Sequence, residues 1–394
     1  MDKKPEKLVP EVRFKGFTDD WEQHKLDALA KFSKGKGYSK KDVTFQGYPL
    51  FLYGRLYTNY SEVVSDVDTY TSNLLEGSAV SNADEVVLPD SGETAEDIAR
   101  ASWINKKGII LGGGLLIIHP DKYLINSGFL SYSLSYGSNH KKLSSYAQGK
   151  SIVHIHSNDL KKLYIFYPSR FNEQSKIFNI LNYLENLITL QQRKLEQLKQ
   201  LKKAMLQYLL TTEKKSAPLI RNKNYNNKWD TTTFSKLLNY ERPENYIVTN
   251  TNYRKNGIPV LTANKSFILG YTNESNVYNK GEAIIFDDFT LENKFVNFPF
   301  MIKSSAIKIL TSKVNYSLYF IFQLLQHTKF IKEGHARHYI SVVQKQTVRI
   351  PPSYEEQESI SDTFSRIQSL IKLQQNKIDQ YTTLKKYLLQ KIFI

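Results

Sequence analysis

Cysteine is absent from this 394-residue sequence. That excludes disulfides and thiolate metal sites, and it permits a reducing compartment. Long apolar runs are missing as well. The longest, Gly108 to Ile118, falls well short of the roughly 20 residues a membrane-spanning helix needs. The opening stretch MDKKPEKLVPEV has no apolar core of a secretory signal, so a soluble, cytoplasmic protein is expected. Acidic residues are in short supply: 38 Asp and Glu face 54 Lys and Arg, a formal net charge of +16 with a pI near 9.4. An excess of that size favours a polyanionic partner, with counterion release supplying much of the affinity, and a membrane surface is the competing reading. Hydrophobic residues make up 41% of the chain, enough for real cores, and the length suits two or three domains.

Catalytic signatures are missing too. Gly112-Gly113-Gly114 lies in an apolar, strand-like segment without the spacing of a phosphate-binding loop, so close packing or a bulge is expected there. Pro351-Pro352 are followed by Ser353-Tyr354 and preceded by Ile350, which does not make the tetrapeptide of amino-methyltransferases. Asp287, Asp288, Glu292 and Lys294 resemble a nuclease set only superficially, because the acidic groups are too close in sequence. His154 and His156 alternate along a possible strand and share a face, yet no acidic ligand is paired with them. No catalytic residue and no metal site is therefore expected.

What is present is a duplication. Arg13, Phe17, Trp21 and Leu26 match Arg221, Tyr225, Trp229 and Phe234, the arginines and tryptophans standing 208 positions apart. Pro168, Glu173, Gln174, Leu187, Ile188, Leu190, Gln191, Gln192 and Lys194 match Pro351, Glu356, Gln357, Leu370, Ile371, Leu373, Gln374, Gln375 and Lys377 at an offset of 183. The repeat unit is thus a globular part plus a long helix, with a longer interior in the first copy. Two copies are too few for a solenoid.

The helical stretches carry a heptad-like apolar face. Ile177, Leu184, Gln191, Leu198 and Met205 recur at one position in the first, and Ile360, Ile367, Gln374, Tyr381 and Leu388 in the second, flanked by Leu384 among others. Each helix follows a proline and opens with Glu-Gln, and Ser353 with Glu356 fits a capping box. Some 38 residues at 1.5 Å each predict rods of about 57 Å. Antiparallel pairing would bring Gln191 near Gln374 and fix the register; the alternative is that each helix packs on its own domain.

Short strand-like segments among Gly and Ser turns make each globular part α+β. The expected strands are Tyr48 to Tyr53, Gly108 to His119 and Leu160 to Tyr167 in the first part, and Ile258 to Leu261, Ala283 to Phe286 and Phe298 to Leu310 in the second. Tyr316 to Phe330 reads as a helix, and Thr211 to Asn227 as a linker. The expected division is 1–167, 168–212 (first helix), 213–350 and 351–394 (second helix). Loops that combine basic, amide and tyrosine side chains suit phosphate and base-edge contacts. In the first part they offer Lys34, Lys36, Tyr38, Lys40, Lys41, Tyr53, Arg55, Tyr57, Asn139, His140, Lys141 and Lys142. In the second they offer Arg254, Lys255, Lys265, Lys332, His335, Arg337 and His338.

Taken in order, these motifs resemble one family. Arg13-Phe14-x-Gly16-Phe17-x-x-x-Trp21 is similar to the entry sequence of type I restriction-modification specificity subunits. Gly35-Lys36-Gly37, Tyr53-Gly54, Tyr57-Thr58-x-Tyr60, Gly92-Glu93-Thr94 and Leu111-Gly112-Gly113 resemble one class of their target recognition domains. Pro168…Glu173-Gln174 and Pro351…Glu356-Gln357 resemble the junctions into their two helices. The resemblance implies two tandem recognition domains, each followed by a long helix, with the helices paired as an antiparallel coiled coil in a pseudo-two-fold arrangement. It implies a non-catalytic chain that reads an asymmetric, bipartite target in double-stranded DNA, its readers spaced near one helical turn. It also implies two methyltransferase and two motor-nuclease subunits as partners, which would bring S-adenosylmethionine, ATP and Mg while this chain binds none. The competing reading from another class is a coiled-coil scaffold that binds nucleic acid without sequence choice.

Overall fold

The computed structural model describes residues 9–56, 59–149, 151–211, 215–264, 266–313, 315–331 and 336–393. The chain forms two compact units, residues 1–191 with 377–394, and residues 192–376. Each is α+β.

In the first unit the strand Trp21–Lys25 pairs antiparallel with Tyr164–Pro168, so the entry and exit of the globular part lie side by side. Between them a five-stranded sheet runs in the order Ala30–Lys34, Leu115–Pro120, Val86–Pro89, Ser102–Ile104, Val63–Val64. Its central strand Val86–Pro89 is buried throughout, and period-two alternation divides it between two cores. Val86, Leu88, Leu116 and Ile118 face a core shared with the long helices, whereas Val87, Leu115 and Ile117 face a second core with Phe51, Leu56 and Leu111. A four-stranded sheet, Tyr70–Thr71, Tyr48–Phe51, Lys107–Leu111 and Val80–Asn82, covers that second core.

The second unit repeats the plan. Asp230–Thr233 pairs antiparallel with Thr347–Ile350. The four-stranded sheet Leu238–Glu241, Ile307–Ser312, Ala283–Asp287, Asn293–Val296 again separates two cores. Ile284, Phe286 and Leu310 face the helix side, and Ala283, Ile285 and Ile309 the other.

Two helices of 39 residues each, Phe171–Leu209 and Tyr354–Ile392, follow the globular parts. In the first unit Ile177, Phe178 and Leu181 share a core with Leu389, Ile392 and Phe393 from the far end of the other helix. Lys385 Nζ lies 2.6 Å from Glu185 there. In the second unit Met205, Leu206 and Leu210 pack with Ile360 and Phe364, and Lys202 donates to Gln368 at 2.7 Å. Both units therefore pair the helices antiparallel. Of the expected pairing residues, Ile177, Leu184, Ile367 and Gln374 are buried and Gln191, Leu198 and Leu388 half-buried. Leu384 departs from the expectation: it is exposed, because the seam passes through Lys385 and Leu388 instead.

Several expected elements change shape. Gly108 to His119 is two strands rather than one, since Gly112-Gly113-Gly114 turns the chain between Lys107–Leu111 and Leu115–Pro120. Leu160 belongs to the helix Ser157–Lys162, and the strand begins only at Tyr164. Phe298 to Leu310 is broken between Met301–Ile302 and Ile307–Ser312. The helix near Tyr316 spans Leu318–His327. The expected linker docks rather than dangles: Ile220 N donates to Tyr208 O at 2.9 Å, and Trp229 N to Ser216 O at 3.1 Å.

Candidate nucleic-acid interface

The frame that carries the site is built twice from the same parts. Arg13 donates to both carboxylate oxygens of Glu173 (2.7 and 2.9 Å), and Arg221 does the same to Glu356 (2.7 and 2.8 Å). Both carboxylates are buried, and the hydrogen bond that each accepts holds its arginine's pKa above the ordinary value. The next residue does equivalent work. Gln174 donates to Pro168 O and accepts from Asn126 N, while Gln357 donates to Pro351 O and accepts from Ser317 N. Asn126 and Ser317 in turn cap the helices Ser127–Ser135 and Leu318–His327 through Phe129 N and Phe320 N. Each of those phenylalanines meets the entry tryptophan edge to face: Trp21–Phe129 and Trp229–Phe320 both have centroids 5.9 Å apart at 72°. Ser353 caps Glu356 N at 3.2 Å as expected. The reciprocal half of the capping box is not made, because the Glu356 carboxylate is taken by Arg221 and by Trp229 Nε1.

Above the second core of the first unit lies a cavity of about 960 Å³, lined by Gly37, Tyr38, Lys40, Val43, Leu52, Tyr53, Arg55, Thr69 and Gly113. The glycines are there because two backbone segments touch. A Cβ on Gly35 would stand 1.9 Å from Gly112 O, and one on Gly112 would stand 2.6 Å from Leu52 Cδ2. Backbone hydrogen bonds lock the contact: Gly35 N to Leu115 O at 2.9 Å and Gly113 N to Tyr38 O at 3.2 Å. The triple glycine is thus a packing device, as its setting in the sequence suggested.

Lys34, Lys36, Lys40 and Lys41 are exposed around this region, and Tyr53 is exposed on its rim. Ser39 and Asp42 hold the turn that carries Lys40 and Lys41. Arg55 is half-buried and donates to Asp68 at 2.6 Å. Tyr38 is a correction: it is buried, and its hydroxyl is used by Ser78 Oγ and Leu75 N (2.8 and 2.7 Å). Tyr57 lies outside the described residues.

The expected loop at Gly137 to Lys142 is part of the helix Gly137–Ser144, and this also corrects the sequence reading. Asn139 is buried and donates to Ser133 Oγ at 2.6 Å, and His140 Nδ1 is 3.0 Å from Ala99 O. Lys141 and Lys142 are exposed, but Lys141 borders a separate cavity with Lys386, Leu389 and Phe393 beside the long helix.

In the second unit Arg254 and Lys255 are exposed, and the Arg254 backbone bridges to Tyr271. Arg337 is exposed, with its guanidinium 5.8 Å from the ring centre of Phe289, itself exposed. His338 is a correction. It is buried, with its backbone N donating to Asp288 O at 2.9 Å, so it anchors the loop rather than facing a ligand. Lys265, Lys332 and His335 lie outside the described residues. Asp287 accepts from Phe289 N and Thr290 N, and Asp288 holds Tyr339 N and Lys308, so these acids are committed to the fold. Among the described residues no cluster of three His, Asp or Glu could hold a metal ion, and no helix is long and apolar enough to cross a membrane.

Sequence reading missed Asp68, Asn59 and the helix caps Asn126 and Ser317. A lone acid or amide in a polar loop gives no periodic signal; only the fold reveals what it touches.

The profile of the type I restriction modification DNA specificity domain matches residues 18–200 and again 217–382. The chain is 41% identical over 126 residues to the type I restriction enzyme EcoR124I/EcoR124II specificity subunit of Escherichia coli, covering 29% of this chain and 31% of that relative. It is 23% identical over 398 residues to a putative type I restriction enzyme MjaX specificity subunit of Methanocaldococcus jannaschii, covering 93% and 91%. The chain thus spans about a third of the first relative and nearly all of the second. In fold it is similar to a type I restriction-modification S subunit from M. genitalium, with a TM-score of 0.71 at 15% identity over 98% of this chain and 99% of that one. A chain from a study of complex assembly and conformational transition of the type I R-M system gives a TM-score of 0.50 at 14% identity, over 95% and 97%. With the profile matched in both halves and the same junction built twice, the chain belongs to the type I restriction-modification DNA specificity family and carries its domain twice.

Proposed function

We propose that this chain selects the DNA sequence on which a type I restriction-modification enzyme acts, reading an asymmetric, bipartite target with one globular part per half-site. The observation that carries this is the contrast between the repeated junctions and the basic surfaces they support. The two junctions repeat the same arginine–glutamate and glutamine contacts, whereas the surfaces they support differ: Lys34, Lys36, Lys40, Lys41, Tyr53 and Arg55 in one unit, Arg254, Lys255 and Arg337 in the other. A shared frame with two different basic readers suits a target whose halves differ. The net charge of +16 supplies the phosphate attraction that any such reader needs.

Chemistry belongs to partners in this reading. Two methyltransferase subunits bring S-adenosylmethionine, two motor-nuclease subunits bring ATP and Mg, and this chain contributes recognition. The long helices leave apolar side chains in the open, Tyr183, Leu190, Leu384 and Tyr387 in the first unit and Leu201, Tyr208, Leu370 and Leu373 in the second. Exposed apolar rows of that kind suit protein docking. In this reading the two helices of 39 residues determine the gap between half-sites.

The test is selection from a randomised duplex pool by the full chain co-expressed with its methyltransferase subunits, with bound DNA sequenced at moderate salt. The expected result is a split motif with a fixed unread gap, and removal of one helical turn from either rod shifts the gap or abolishes binding. Affinity without enrichment, fading only with salt, would move the assignment to a nonspecific scaffold.

A further inference from the structure

We propose that Arg55 reads a guanine in the first half-site and that Asp68 is its positioning residue. The inference rests on the DNA-reading role above and deepens it.

Arg55 ends the short turn Tyr53–Arg55 and lines the cavity of the first unit. A chain of contacts fixes it from the core outward. Phe51 is fully buried, and the Tyr60 ring stacks on it with centroids 5.1 Å apart at 29°. The Tyr60 hydroxyl donates to Asp68 Oδ1 at 2.6 Å and accepts from Asp68 N at 3.0 Å. Asn59 Nδ2 donates to Asp68 Oδ2 at 2.8 Å, and Arg55 Nη2 donates to the same oxygen at 2.6 Å. Burial pushes the Asp68 pKa up, but the hydrogen bonds from Tyr60 and Arg55 outweigh it and hold the carboxyl below its usual range. Burial and the bond to Asp68 push Tyr60 up to about 12, so it stays a donor at neutral pH.

An arginine held this way has already lost much of the rotamer freedom that a free side chain would lose on binding. Its Nε is buried and finds no acceptor among the described residues, so any contact with a base falls to the Nη atoms. Phosphate is the wrong ligand for it. A carboxylate 2.6 Å away repels phosphate and offsets the cation's attraction. The exposed Lys34, Lys36, Lys40 and Lys41 suit that task instead. A planar fork fixed in direction matches two acceptors side by side. Among bases in the major groove only guanine presents that pair, O6 and N7; adenine sets a donor beside N7, cytosine offers a donor, and thymine one acceptor beside a methyl.

The experiment is the same pool selection, run on the complex of the full chain with its methyltransferase subunits, for wild type, Arg55→Ala, Arg55→Lys, Asp68→Asn and Asp68→Glu. Wild type is expected to show an invariant guanine at one position of one half-site. Arg55→Ala flattens that position alone, Asp68→Asn weakens it, and Asp68→Glu restores part of it. Replacing that guanine by 7-deazaguanine lowers wild-type affinity about 10- to 100-fold and leaves Arg55→Ala unchanged. Retention of the second half-site motif by every variant shows that the chain is folded and assembled. A uniform loss across sequences with a shallower salt dependence would make Arg55 a phosphate contact and overturn the inference while the proposed function stands. A wild-type pool with no split motif would overturn both.

Discussion

Removing one arginine from each junction tests whether the duplicated clamps hold the frame. Arg13→Leu strands a Glu173 carboxylate that is 1% exposed, and Arg221→Leu strands a Glu356 that is 2% exposed. Breaking a buried ion pair from one side costs about 3–5 kcal/mol, and the lower end applies because water can follow the partly exposed arginine edge. The two sites differ in what remains. Glu356 keeps the Trp229 Nε1 hydrogen bond at 3.2 Å, whereas Trp21 Nε1 has no hydrogen-bond partner among the described residues. A retained hydrogen bond to a charged group offsets about 1 kcal/mol, which gives about 3 kcal/mol for Arg13→Leu and about 2 kcal/mol for Arg221→Leu. In units of this size each kcal/mol moves Tm by about 2–4 °C, so drops of roughly 6–12 °C and 4–8 °C are expected. Calorimetry of the full chain measures the drops, and hydrogen exchange at the two junctions assigns each to its unit. The pair Arg13→Leu with Glu173→Leu should cost less than Arg13→Leu alone, since no charge is left buried. Equal losses at both sites, or a loss under about 1 kcal/mol at either, would refute the reasoning.

Other perturbations give sharper contrasts. Gly112→Ala forces a methyl to 2.6 Å from Leu52 Cδ2, and costs about 1–3 kcal/mol with specificity in the first half-site impaired; unchanged melting would show that the contact relaxes freely. Asn139→Ala and His338→Ala lower stability but leave the selected DNA motif intact, and a changed motif in the pool selection would restore either residue to the interface. Burial holds the His327 pKa below its ordinary value, so the side chain is neutral when folded and gains a proton more readily when unfolded. Its contribution is present above the unfolded pKa near 6.5 and is lost as pH falls through the lower folded value. Urea midpoints of the second unit therefore fall between pH 7 and 5, and His327→Gln flattens that slope; an unaltered slope assigns the acid sensitivity elsewhere.

The frame was legible because it is written twice. Arg13, Trp21, Glu173 and Gln174 each have a counterpart at a constant offset, and a repeated pattern stands out where a single residue does not. The long heptad faces were legible through their period, and Ala283 to Phe286 as a short apolar run although it is buried on both sides. The errors fall where a helix is buried on nearly every side or where a buried residue is polar. Ser127–Ser135, with the sequence SGFLSYSLS, is buried on nearly every side and so has no amphipathic period. The Asn139 that packs beside it therefore read as a loop residue. His338 and Tyr38 sit in polar, glycine-rich stretches but point inward, which depends on partners distant in sequence such as Asp288 and Ser78. Arg55 was legible as a basic loop residue, whereas its orienting partner Asp68, thirteen positions on, was not.

The central sheet of each unit has a consequence for how such a protein changes over generations. Val86 and Val87 are neighbours in the chain but answer to different surroundings, one packed with the long helices and the other with Phe51, Leu56 and Leu111 beneath the surface proposed to read DNA. Ile284 and Ile285 divide in the same way. Mutations that remodel the reading side are therefore judged mainly by the residues around Phe51 or Phe300, and those on the rod side by Trp21 or Trp229. The sheet acts as a partition between two selective pressures. Under the proposed function, a lineage can drift toward a new DNA word on one side while the other continues to pack against the same helices.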